Sequence, residues 1–141
     1  IVPGTPEQIE AAGGTAAYEA DARPRLIRTA METIQAAAVE ADVWKIEGID
    51  RRDDCEMVAE QSRAGERAGV GCVVLGSGAD GARVDYWLRT ASGVPGYLGF
   101  AIGRSIWQDP ISRYLDGSLD RDAAAARIAT AYVRCIDVFA S

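Results

Sequence analysis

The sequence predicts an α/β protein built on a parallel β-sheet. Short apolar runs alternate with longer segments of helical periodicity, and this strand–helix order repeats about four times. The run "VGCVVL" is apolar throughout, which is typical of a parallel strand that is buried on both faces. At 141 residues the chain is long enough for a single domain with a real core, which we assign to residues 1–141.

The first half of the chain predicts two strand–helix units. Pro24 suits the first turn of a helix, Asp53 suits an N-cap, and Gly69 suits a C-terminal stop. The predicted elements are, in order, a strand remnant and a Pro/Gly loop at 1–14, a helix at 23–40, the strand "DVWKIEG" at 42–48 and a helix at 51–69.

The second half predicts two more units and a final helix. These are the strand "VGCVVL" at 70–75, a helix at 80–92, the strand "VPGYLGFAIGR" at 94–104, and helices at 109–115 and 120–139. Both an open doubly wound sheet and a (β/α)8 barrel fit this order. The loop "GSGADG" differs from the G-x-G-x-x-G of a dinucleotide fold, and no acidic residue ends a strand some 20 residues later.

Composition excludes several classes of function. With a net charge of −6, the chain is a poor candidate for sequence-independent nucleic-acid binding. No apolar run approaches the roughly 20 residues that span a bilayer, and no signal peptide is visible. The chain has no histidine, which removes Ser-His-Asp, Cys-His and His-ligated zinc chemistry. The widely spaced Cys55, Cys72 and Cys135 predict no metal site and favour reduced thiols in the cytoplasm.

The strongest candidate for chemistry is Lys45, the single lysine among fifteen basic residues. Strand alternation puts Lys45 and Glu47 on one face, with bulky Trp44 and Ile46 on the other, where they suit a helix layer. Burying an ammonium favours its neutral form, and a neutral lysine amine condenses with ketones to a Schiff base. Glu47 could then orient the amine or transfer protons. The alternatives are an inert buried Lys–Glu pair, or a lysine whose charged end reaches solvent.

Two glycine-bearing strand ends are candidates for phosphate binding. Gly76, Ser77 and Gly78 could direct backbone N–H groups and a hydroxyl at an anion, or could simply form a tight turn. Gly103 and Arg104 end the last predicted strand, and an arginine fork matches a phosphate group. The alternative for Arg104 is a surface ion pair with Asp109.

The chain begins at Ile1 rather than methionine, in a stretch that reads as the end of a strand. We therefore expect a fragment, a processed product or the downstream part of a longer polypeptide.

The stretches "ADVWKIEG", "GVGCVVLGSG" and "GFAIGRSIWQDPI" resemble the last three strands of class I aldolases of the tagatose-bisphosphate and sulfofructose-phosphate type. Most similar is the aldolase-like domain fused to 5-dehydro-2-deoxygluconokinase in bacterial myo-inositol catabolism. The opening "VPGTPEQIEAAGG" and "YEADARPRL" also resemble that domain, so the resemblance covers nearly the whole chain. The resemblance rests on two motifs: a strand lysine followed by Ile-Glu, and a Gly-Arg-aliphatic-Trp run.

The resemblance implies the C-terminal half of a (β/α)8 TIM barrel and a lyase of carbohydrate metabolism. Lys45 would be the Schiff-base lysine, and Ser77, Gly78, Gly103 and Arg104 would surround the substrate phosphate. The reaction would be retro-aldol cleavage of a ketose phosphate, such as 2-deoxy-5-keto-gluconate 6-phosphate, to dihydroxyacetone phosphate and an aldehyde. It needs no metal and no other cofactor.

The family barrel is about twice as long as this chain, and its fifth-strand acid/base carboxylate would lie before Ile1. We therefore expect the chain alone to be inactive, and its open sheet to be completed by a second copy, by a missing N-terminal half or by an associated kinase domain. The alternatives are a non-catalytic sugar-phosphate-binding or regulatory domain, and an assembly module without a ligand.

Overall fold

A computed structural model describes residues 4–141, and the strand remnant predicted at the start of the chain lies outside the described residues. The strands are β1 (Val43–Glu47), β2 (Gly71–Leu75) and β3 (Tyr97–Phe100). The helices are α1 (Pro6–Ala11), α2 (Thr15–Ala17), α3 (Arg23–Ala36), α4 (Arg52–Ser62), α5 (Gly81–Ala91), α6 (Arg104–Leu115) and α7 (Arg121–Ala140), with a π-helical turn (Tyr18–Ala22) joining α2 to α3.

The three strands form one parallel sheet in the order β1-β2-β3, which confirms the predicted α/β class. Lys45 lies opposite Val73, and Glu47 lies opposite Leu75. A β-bulge at Cys72–Val73 shifts the register of β2 against β3. Because strand order follows chain order without reversal, successive crossovers of one hand carry their helices to the same side of the sheet.

That side, which we name the covered face, holds the core. Ile46, Cys72 and Val74 on the strands are buried against side chains of the helices, among them Ile27 and Leu88. The helices pack in series: α3 on α4, α4 on α5, α5 on α7 and α7 on α6. Trp44 packs against this core from β1 and Ile46 lies within it, as strand alternation predicted.

The other side, which we name the open face, carries Val43, Lys45, Glu47, Val73, Leu75 and Leu98. Val43 is 45% exposed and Leu98 is 62% exposed. Leu98 lies over Gly71, where an added Cβ would come within 2.5 Å of its Cγ. The described residues therefore leave an apolar sheet face facing solvent, with Lys45 in its first strand.

The predicted Pro/Gly loop near the start of the chain is wrong, because Pro6–Ala11 is a helix. Thr5 and Gln8 form a capping box: the Gln8 N–H donates to Thr5 Oγ1 at 3.3 Å and the Thr5 N–H donates to Gln8 Oε1 at 2.9 Å. The T-x-x-Q signature with proline at the first position is a helix start, and it outweighs the loop preference of isolated prolines and glycines.

Two predicted helix starts also need correction. Arg51, not Asp53, is the N-cap of α4, and Asp53 lies in the first turn, where its charge complements the helix dipole. The sixth helix begins at Arg104, five residues before the predicted start at Asp109. The helix runs through Pro110, and its buried residues are Ile106 and Pro110.

Within residues 4–141, no helix combines the length and the apolar character that crossing a membrane requires.

Candidate functional site

The turn after β2 holds both of its central residues in the left-handed region of backbone conformation. Ser77 and Gly78 both have positive φ, 48° and 76°, and the Ala79 N–H donates to the Gly76 carbonyl at 2.8 Å. Positive φ at both central residues is the mark of a type I′ turn. Since serine rarely adopts this conformation, the turn holds a local strain of the kind that accumulates at functional sites.

The start of α6 lies beside this turn. Gly103 is its N-cap and makes no side-chain capping hydrogen bond, so the first-turn N–H groups have no side-chain acceptor there. Ser105 Oγ donates to the Ala79 carbonyl at 2.8 Å, which ties the helix start to the turn after β2. The positive end of the α6 dipole therefore lies next to the glycine turn.

A cavity of about 250 Å³ lies between these two strand ends. All five residues predicted to bind phosphate line it, namely Gly76, Ser77, Gly78, Gly103 and Arg104. A Cβ added to Gly78 would lie 3.4 Å from Arg104 Nη2, so the guanidinium reaches across to the glycine turn. We name this cavity the anion cradle.

Arg104 is exposed and forms no ion pair within the part of the chain that the structure describes. The alternative pairing with Asp109 is therefore not observed in residues 4–141. A guanidinium without a carboxylate partner, beside glycine N–H groups and a helix N-terminus, is an arrangement that favours a bound anion.

Lys45 lies on the open face and is exposed, neither buried nor paired with Glu47 among the described residues. Its strand partner Val73 precedes Gly76 by three residues. That is about 10 Å along the strand and about 4.8 Å across. Lys45 is the middle residue of β1, whereas the anion cradle lies beyond the C-terminal ends of β2 and β3.

Glu47 is held by Arg23, a residue that sequence reasoning missed. Arg23 Nη1 lies 3.5 Å from Glu47 Oε2, and Arg23 Nη2 donates to the Gly48 carbonyl at 2.7 Å. The Arg23 side chain is only 3% exposed. The sequence did contain a signal for the burial of Arg23. Arg23 lies four residues before Ile27, so it begins the buried stripe of α3.

A second missed residue, Asp50, fixes the loop that follows β1. Both Asp50 carboxylate oxygens accept from Arg83 Nη2 at 2.7 Å, and Trp87 Nε1 donates to Oδ1 at 2.8 Å. The Arg83 guanidinium also lies 4.8 Å from the centre of the Trp87 ring. Trp87 packs so close to Gly48 that a Cβ there would come within 1.9 Å of the indole. The end of the lysine strand is therefore rigidly held by α5.

The cysteines are free, buried thiols. Burial raises the pKa of Cys55 to about 12 and the pKa of Cys72 to about 11. Thiolates are the reactive form, so neither side chain is suited to nucleophilic chemistry near neutral pH.

Comparison with protein families gives one match: the model described as "Uncharacterized protein conserved in bacteria (DUF2090)" covers residues 14–141. No curated protein and no solved structure matches the chain.

Proposed function

The chain belongs to the DUF2090 family, and we propose that it is the lysine-bearing, phosphate-binding half of a (β/α)8 class I aldolase domain. One observation carries the proposal. The anion cradle gathers the five glycine, serine and arginine residues at the ends of β2 and β3, and Lys45 lies on the adjacent strand, on the open face.

Strand order supports the half-barrel. A doubly wound sheet reverses its strand order and carries helices on both faces, whereas a barrel adds strands in chain order with all helices outside. Here the order is β1-β2-β3, and the packed core lies on the covered face. The open face would then be the interior wall of the barrel.

The cradle suits the phosphate of a ketose phosphate. Arg104 and the N-terminus of α6 supply positive charge, while the backbone of Gly76 to Gly78 leaves room for close approach. In barrel enzymes the chemistry lies at the carboxyl ends of the strands, and a phosphate commonly lies after the last two.

Lys45 would attack the substrate ketone and expel its oxygen as water, leaving an iminium. Breaking the neighbouring carbon–carbon bond sends its electrons into the iminium, while a base takes the proton of the β-hydroxyl and an aldehyde leaves. The enamine that remains takes a proton at its carbon to restore the iminium, and water then hydrolyses the iminium to dihydroxyacetone phosphate and free amine. A substrate of this kind is 2-deoxy-5-keto-gluconate 6-phosphate. Covering the open face would desolvate the amine and favour its neutral form.

The open face would be covered by a second copy of the chain, by an N-terminal half or by an associated kinase domain. Exposed Val43 and Leu98 on the open face support association, since monomers rarely expose a contiguous apolar sheet face. Light scattering after size-exclusion chromatography of the purified chain tests the second copy: we expect a dimer or larger species, and a clean monomer would contradict self-association.

Borohydride trapping tests the imine. Because Lys45 is the single lysine, a reduced dihydroxyacetone phosphate adduct has two possible sites, this amine and the chain N-terminus, which peptide mapping separates. We expect the adduct on Lys45 in the assembled protein and none at this position in Lys45→Arg. Arg104→Ala should lower labelling at limiting ligand by about 10-fold or more, since a charge-assisted hydrogen bond contributes about 1.5–3 kcal/mol. Equal labelling of wild type and Lys45→Arg would overturn the proposal.

A second candidate is a non-catalytic sugar-phosphate-binding or regulatory domain. It is favoured by the exposure of Lys45 and by the Arg23 contact that holds Glu47. Binding of phosphate esters that depends on Arg104, without an adduct on Lys45, would select it.

A further inference from the structure

A second cleft adjoins the anion cradle and shares Ser77 with it. It measures about 260 Å³. Its lining is Glu19, Arg23, Glu47, Ser77 and Trp87. A ligand whose phosphate lies in the cradle can therefore extend past Ser77 into this cleft without leaving the protein surface.

Arg23 is a buried guanidinium that leaves one nitrogen, Nη1, without a close partner among the described residues beside this cleft. Its side chain is 3% exposed, and Nη2 is satisfied by the Gly48 carbonyl. Nε lies 2.5 Å from Glu19 Oε2, and Nη1 lies 3.5 Å from Glu47 Oε2, but neither nitrogen has a hydrogen bond of acceptable geometry within residues 4–141. The close ion pair with Glu19 occupies Nε, whereas Nη1 lacks an acceptor in the part of the chain that the structure describes. Since buried polar groups are almost always hydrogen-bonded, Nη1 indicates a ligand atom or an ordered water.

The charges around Arg23 decide what kind of ligand group fits. One guanidinium and two carboxylates sum to −1, which disfavours a second phosphate or a carboxylate in the cleft. A hydroxyl can accept from Arg23 Nη1 and donate to Glu47 at the same time, so it matches a donor and an acceptor that stand side by side. The buried Trp87 indole supplies an apolar wall for the carbon that carries the hydroxyl.

We propose that this cleft binds a hydroxyl-bearing carbon of the phosphate ester held in the anion cradle. The inference rests on the proposed phosphate site and adds the place where a hydroxyl of the same ligand is bound. Arg23 and Glu47 contact the hydroxyl directly, Glu19 holds Arg23 in place, and Ser77 lies between the hydroxyl and the phosphate.

The test compares two small esters that carry no carbonyl and so cannot form an imine. sn-Glycerol 3-phosphate has two hydroxyls, and n-propyl phosphate has the same carbon chain without them. By calorimetric titration we expect wild type to bind glycerol phosphate about 10-fold more tightly, since hydrogen bonds to charged groups contribute about 1.5–3 kcal/mol. Glu47→Ala should reduce that preference to about 2-fold or less.

Arg104→Ala is the matched control, because it lies in the cradle and not in the second cleft. It should weaken both esters by a similar factor and leave the preference intact. Equal affinity of wild type for the two esters, with binding that still depends on Arg104, would overturn the hydroxyl cleft and leave the phosphate site standing. If neither ester binds, or if Arg104→Ala changes nothing, both proposals fail. The preference of wild type for glycerol phosphate over propyl phosphate is measured without any variant. The test therefore stands even if the Glu47→Ala protein is unstable.

Discussion

The covered and open faces of the sheet are built by the same three strands and have opposite properties. On β1, Ile46 is 2% exposed while Val43, three residues earlier and on the other face, is 45% exposed. On β2 and β3, Cys72 is fully buried while Leu98 is 62% exposed. The alternation of side chains along each strand is enough to separate the buried residues from the exposed ones.

This difference separates the residues that stabilise the fold from those of the proposed site. The residues that hold the fold together lie on the covered face, whereas Lys45 lies on the open face and the anion cradle lies at the carboxyl ends of the strands. A substitution on one strand should therefore affect either folding or ligand binding, according to the parity of its position.

The largest effect is expected from Ile46→Ala. Ile46 lies in the core between β1 and the helices, so truncation leaves a cavity and should lower the free energy of unfolding by about 3 kcal/mol. Urea denaturation followed by circular dichroism measures it.

Val43→Ala is the matched control on the same strand. It removes an exposed aliphatic side chain from the open face and should cost less than about 1 kcal/mol. If the two variants lost stability equally, the open face would be packed in solution, and the contrast between the faces would be wrong.

The strand pattern was sufficient to predict the parallel sheet and the side of the sheet on which Trp44 and Ile46 lie. The five residues predicted to bind phosphate line one cavity, because glycine and arginine at a strand end carry a local signal, and their role in binding stays a prediction. Helix starts were less accurate. α6 begins at Arg104, before the predicted start at Asp109, and its first turn buries Ile106 in the core, a contact with distant segments that the local pattern does not show.

What the local pattern could not supply was contact between distant segments. Arg23 reads as an ordinary helix start, and its role comes from Glu47 and the Gly48 carbonyl, more than twenty residues later. Asp50 depends in the same way on Arg83 and Trp87 of α5. Lys45 is exposed on the open face, and its exposure depends on which other segments pack there, so no pattern within β1 could predict it.

An intermediate effect is expected from the thiols of the covered face at alkaline pH. Burial raises the pKa of Cys55 from 9.0 to about 12, so the folded state keeps a proton that the unfolded state loses. This contribution is fully present below pH 9 and is lost as pH rises towards 12. Between pH 7 and pH 10, the stability of wild type relative to Cys55→Ala should fall by about 1.4 kcal/mol.

The same pair of measurements on Val43→Ala serves as the control, because valine does not titrate. Its stability relative to wild type should be the same at both pH values. A constant gap for Cys55→Ala as well would mean that this thiol ionises equally in the folded and unfolded chains, contrary to its burial.

The smallest effect on folding is expected from Leu98→Ser. Leu98 stands on the open face over Gly71, so replacing it removes little packing within the chain, and the free energy of unfolding should change by less than about 0.5 kcal/mol. The same change removes much of the exposed apolar surface, so binding of a hydrophobic dye such as ANS should fall. A stability loss above about 1.5 kcal/mol without a change in dye binding would show that Leu98 belongs to the core, and the open face would then have no free apolar surface for a partner to cover.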